Sequence, residues 1–71
     1  MKENKQLILM KLAETLQFTD SQRDLEKLTY KKVGEQETVK ATYKGGHERY
    51  VTVTMNTGIE MVRNVVEKLM H

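Results

Sequence analysis

The chain has 71 residues, no cysteine, no proline, and twelve basic against ten acidic side chains, for a net charge of +2. That length allows one domain, residues 1–71, near the lower limit for unaided folding. The missing cysteines exclude disulfides and thiolate metal sites, and so small a charge excess neither names a nucleic-acid partner nor suits an acidic nucleic-acid mimic. The longest apolar run, Leu7 to Met10, is far too short for a signal-peptide core or a membrane span, so a soluble, cytoplasmic protein with no membrane contact is expected. A core of this size leaves only about 3–5 kcal/mol of net stability unless a metal, a disulfide or a partner subunit adds to it. The basic excess lies wholly in residues 25–50, where Lys27, Lys31, Lys32, Lys40, Lys44 and Arg49 outnumber Glu26, Glu35, Glu37 and Glu48.

The first segment is helical in period, and its pattern predicts a helix from about Glu3 to Gln17. With Ile8 at zero on a helical wheel, Leu12, Leu16, Leu9 and Ala13 fall within about 140°, the width of a core-facing stripe. Leu7 and Met10 fall outside it and are the candidates for a self-association contact. After Phe18 comes a polar stretch in which Ser21 with Asp24 suits the cap of a short helical turn.

From Glu26 the pattern changes to alternation: Leu28 and Tyr30, then Val39, Ala41 and Tyr43, then Val51, Val53 and Met55. Three successive antiparallel strands are predicted. The glycine pair Gly45-Gly46 precedes His47, which raises the possibility of a phosphate cradle beside an acid-base group. A cradle needs glycines that lead into a helix amino terminus, whereas these lead into a strand. A catalytic histidine needs a nucleophile and an orienting carboxylate; Ser21 lies in a separate segment and Glu48 points to the opposite face from its neighbour. The stretch therefore reads as a turn.

Hairpin parity decides which side chains share a face. A two-residue turn at Gly45-Gly46 would split the valines between both faces. A three-residue loop, Gly45 to His47, pairs Val39 with Val53 and Ala41 with Val51, and places His47 in the left-handed region. A four-residue loop, Gly34 to Glu37, closes the first hairpin by the same logic, pairing Val33 with Thr38 and Tyr30 with Ala41. The predicted inner face carries Leu28, Tyr30, Val39, Ala41, Tyr43, Val51, Val53 and Met55. The outer face carries Lys27, Thr29, Lys31, Val33, Thr38, Lys40, Thr42, Lys44, Tyr50, Thr52 and Thr54.

The last segment opens on Thr57 and Glu60 in capping-box spacing. Ile59, Val62, Val65, Val66, Leu69 and Met70 then form the predicted buried arc, opposite Arg63, Asn64 and Glu67. His71, the last residue, reads as an expression-tag remnant, and two histidines so placed argue against a metal site. Two helices need apolar cover and one sheet face offers it, so the expected fold is α+β: a two-layer α-β-β-β-α sandwich, a three-stranded antiparallel sheet with both helices on one face.

The order of elements resembles the double-stranded RNA-binding domain in topology. That family opens its second helix on a basic Lys-Lys-x-Ala-Lys stretch and its first hairpin on Gly-Pro-x-His. The corresponding stretches here, Asn56 to Met61 and Gly34 to Glu37, are neutral to acidic, so its RNA contacts carry over to no residue of this chain. The functional expectation is a small non-enzymatic protein-interaction module, its partner another protein or itself, with no cofactor, no metal and no small-molecule substrate. The alternative is a nucleic-acid-binding face in which Lys27, Lys31, Lys40 and Lys44 supply charge and Tyr50 a stacking ring.

Overall fold

The computed structural model describes residues 3–70; His71 lies outside the described residues. The elements follow in the predicted order: α1 (Lys5–Leu16), a 3₁₀ turn (Asp20–Gln22), β1 (Leu25–Val33), β2 (Gln36–Tyr43), β3 (Glu48–Thr52) and α2 (Gly58–Leu69). The sheet is antiparallel in the order β1-β2-β3, and both helices pack on its inner face, with one shared core of Leu9, Ala13, Leu16, Leu25, Leu28, Val39, Ala41, Val51, Val53, Met61, Val65 and Leu69.

Helix α1 begins later than its apolar period suggests because Asn4 caps it, the side chain accepting a hydrogen bond from the Leu7 amide at 3.0 Å. The expected Ser21/Asp24 cap does not form. Thr19 precedes the 3₁₀ turn without a side-chain cap, and the Ser21 hydroxyl donates instead to the Met70 sulfur. Gln22 is buried: its amide donates to the Leu69 carbonyl at 2.7 Å and its oxygen accepts from the Tyr43 hydroxyl at 2.6 Å. One polar side chain thus closes the end of the sandwich and satisfies the last turn of α2.

Both hairpins keep the predicted parity but slide by two residues. In the first, Tyr30 opposes Val39 and Val33 opposes Gln36, so the loop is the pair Gly34-Glu35, with Gly34 at φ +62° where such turns need positive φ. Glu37, assigned to the loop from sequence, is in strand β2. In the second, Val39 opposes Val51 and Ala41 opposes Arg49, and the Tyr43 amide donates to the His47 carbonyl at 2.8 Å. The three-residue loop is therefore Lys44 to Gly46. Gly45 and Gly46 take the positive φ values of 90° and 88°, which glycine adopts without steric cost, and His47 does not take one.

Two further differences concern the strand ends. A bulge at Glu26 shifts the register between Leu25 and Lys27, which returns Leu25 to the inner face beside Leu28; the two are spaced by three residues, so alternation does not reveal Leu25 as core. Strand β3 ends at Thr52, and Met55 is 88% exposed at φ +62°, in the loop and not on the buried face. Helix α2 starts as expected: Glu60 N–H donates to Thr57 Oγ1 and Thr57 N–H donates to Glu60 Oε1. Its buried face is rotated from the expected arc. Met61, Val65 and Leu69 are core, while Ile59 is 73% exposed and Met70 is also exposed.

Candidate functional site

The register aligns the outer sheet face in rows: Lys31-Thr38-Thr52, Thr29-Lys40-Tyr50 and Lys27-Thr42-Glu48. Lys27, Lys31, Lys40 and Tyr50 are thereby brought onto one surface, where Thr29, Lys31, Thr38, Lys40 and Tyr50 line a shallow depression of about 130 Å³. Lys44 is not in a row; it belongs to the hairpin loop, its backbone N–H bonded to the Asp24 carbonyl. Glu48, absent from the sequence-derived face, stands among the lysines. Its carboxylate lies 3.6 Å from Lys40 Nζ and accepts from the Tyr50 hydroxyl at 3.2 Å. One of three lysines and the lone ring are thus engaged by an acidic neighbour, which lowers the pull of this face on a phosphate backbone.

The helical layer presents a different surface. Leu7 and Met10 are 47% and 52% exposed on α1, and Ile59 and Met70 are exposed on α2. Ile8 and Leu12 on α1 are half-buried, as are Val62 and Val66 on α2. Met10 also lines a groove of about 300 Å³ between α1 and the edge of β1, with Gln6, Glu14, Gln17, Glu26 and Thr29.

That groove shows how the β1 edge is closed. Gln6 donates from Nε2 to the Leu28 carbonyl at 3.1 Å and accepts at Oε1 from the Tyr30 amide at 2.8 Å. A single side chain so replaces the pairing of an adjacent strand. Gln17 Nε2 donates to the carbonyls of Leu25 and Glu26, further along the same edge.

The most perturbed titratable group lies elsewhere, at the far end of the inner face. Glu37 is buried; its Oε1 accepts from Lys5 Nζ and Tyr30 Oη, both at 2.6 Å, and its Oε2 from the Met55 amide at 2.9 Å. Its own amide donates to Thr54 Oγ1. The Lys5 bond first, then those of Tyr30 and Met55, hold its pKa down to about 2, and the same bond raises that of Tyr30. These bonds tie α1, β1 and the loop before α2 together. His47 is exposed, its ring 5.7 Å from that of Tyr43, and among the described residues no carboxylate or hydroxyl bonds to its side chain; the glycine pair beside it turns the chain.

No family model, no curated protein and no solved structure matches the chain. The reading of function rests on these surfaces alone. Among the described residues, no helix is long and apolar enough to cross a membrane. Sequence reasoning missed Glu37, because an acidic side chain three residues after Gly34 in a polar stretch looks like a loop residue, and missed Gln6 and Gln17, whose amides carry no periodic signal. Glu48 was findable: once parity is chosen, it falls on the lysine face.

Proposed function

We propose that this chain is a small cytoplasmic protein-interaction module without catalytic activity, one that associates with its own copies and, on a separate surface, meets a partner protein through the apolar side chains of its helical layer. The observation that carries the reading is the exposure of Leu7, Met10, Ile59 and Met70 in a domain whose core is too small to spare apolar residues without reason. The test is a photoreactive amino acid placed at Leu7, Met10 or Ile59 and, in parallel, at Lys31 or Lys40. Discrete protein adducts from the helical positions support the reading; adducts from the sheet positions alone overturn it.

The nucleic-acid reading keeps one observation in its favour, the convergence of Lys31, Lys40 and Tyr50 on one depression. It requires a mobility shift at low salt that weakens steeply as salt rises and when Lys31, Lys40 and Lys44 become glutamate. Absence of any shift with duplex or single strand ends it.

A further inference from the structure

The two edges of the sheet are treated differently. On β1 the backbone groups that face away from β2 are covered by Gln6 and Gln17, the strand carries a bulge at Glu26, and Lys27, Lys31 and Lys32 crowd its surface. Cover, bulge and lysine are the devices by which sheet edges avoid pairing with other strands. Strand β3, five residues long with Glu48 and Arg49 as its charges, has no bulge and no lysine. Its bonds to β2 alternate: His47 carbonyl to Tyr43 at one end, Val53 amide to Glu37 carbonyl at the other. By that alternation the odd-numbered residues 47 to 53 face β2, and the N–H and C=O groups of Glu48, Tyr50 and Thr52 point outward. Among the described residues no side chain bonds to them.

We propose that the β3 edge pairs antiparallel with the β3 edge of a second copy of this chain, about a two-fold axis at Tyr50, to make one six-stranded sheet. The inference rests on the self-association read above and names its surface. Several observations fit a second copy. The axis sets Tyr50, 65% exposed, against its own equivalent, and Glu48 against Thr52, so no like charges meet on the outer face. It also keeps both helical layers on the same side of the joined sheet, with α2 nearest the junction, because Arg49 of β3 donates to the Lys68 carbonyl at 2.9 Å and to that of Leu69. Glu60, Asn64 and Lys68 stand at successive turns of α2 on the side opposite half-buried Val62 and Val66: acidic, neutral, basic. Two such helices running antiparallel place each Glu60 against the partner copy's lysine at the other end, a complementarity that only an antiparallel copy satisfies twice.

Sedimentation equilibrium from micromolar to sub-millimolar concentration, combined with amide hydrogen exchange, tests this. The expected result is a dimer in which the amides of Glu48, Tyr50 and Thr52 exchange about tenfold or more slowly than in dilute solution. Tyr50→Lys sets two ammonium groups face to face at the axis and is expected to give a folded monomer; Lys68→Glu sets two carboxylates together and is expected to weaken the dimer about tenfold. Leu7→Lys/Met10→Lys is expected to leave it intact. A strict monomer for the parent chain overturns self-association altogether. A dimer whose three outward amides stay unprotected, or that survives Tyr50→Lys unchanged, overturns the edge assignment alone.

Discussion

Met61 and Ile59 sit two residues apart on α2, and the structure assigns them opposite environments: Met61 has no exposed surface and Ile59 is 73% exposed. Truncating Met61 to alanine removes three heavy atoms from the centre of the core, at roughly 0.8 kcal/mol per buried carbon-sized group, or about 2.4 kcal/mol of transfer free energy. The unfilled space adds on the order of 1 kcal/mol, which places the total inside the usual range for a buried Met→Ala change. Against a net stability of about 3–5 kcal/mol for a core this small, Met61→Ala is expected to lower the urea midpoint to near zero, with a measurable unfolded fraction in buffer alone. Ile59→Ala is expected to change stability by less than about 0.5 kcal/mol. Urea titration followed by far-ultraviolet circular dichroism measures both on one scale. If Ile59→Ala costs as much as Met61→Ala, or Met61→Ala costs less than about 1 kcal/mol, α2 is rotated differently from the description here and the argument from its exposed face fails.

Glu37 has a folded-state pKa of about 2, below its ordinary value, so it contributes stability that is present above the unfolded pKa and lost as pH falls through the folded one. Chemical denaturation between pH 6 and pH 2 is therefore expected to show a loss of stability on the acid side that Glu37→Gln reduces, together with a lower stability at neutral pH from the broken Lys5 and Tyr30 bonds; an unchanged acid limb in the variant refutes the assignment. Thr57→Ala removes the acceptor for the Glu60 amide and is expected to cost about 1 kcal/mol by the same titration, and to raise the Glu60 pKa, which the Thr57 backbone and side-chain bonds now hold down; an NMR titration of the Glu60 carboxyl carbon checks it. Gln6→Ala uncovers the Leu28 carbonyl and Tyr30 amide and is expected to increase aggregation on storage at matched concentration, read by light scattering, with circular dichroism unchanged. A variant as soluble as the parent argues against a protective role for Gln6.

The parity of both hairpins was legible and their register was not, for one physical reason. Side chains alternate with a period of two, so sliding a strand by two residues leaves every valine on its own face; only the turn geometry distinguishes the two alignments. Gly34, Gly45 and Gly46 hold that information in their positive φ values, which put the glycine pair at the last two positions of the second loop and leave His47 out of it. The rotation of α2 was obscured by an apolar stripe wider than the sheet can cover. From Met61 through Val65, Leu69, Val62, Val66 and Ile59 to Met70 it spans about 180° of the wheel, and the core takes the half that includes Gly58, where a side chain would collide with Glu3 and Ile8. Leu7 and Met10 are exposed on α1; Lys27, Lys31, Lys40 and Tyr50 share one sheet face, and Lys44 lies in the hairpin loop. Glu48 lies on that face because it opposes Thr42, a consequence of the pairing and not of alternation within one strand alone.

The glutamine clasp on β1 has a bearing on what this protein can never become. A strand that joins at β3 arrives with its own β1 at the far side, and there Gln6 and Gln17 already occupy the places a further chain would need. On the proposed pairing, growth by edge addition stops after one step, the difference between a finite particle and an endless ribbon. Two amide side chains, one within α1 and one at its carboxyl-terminal cap, would draw that line.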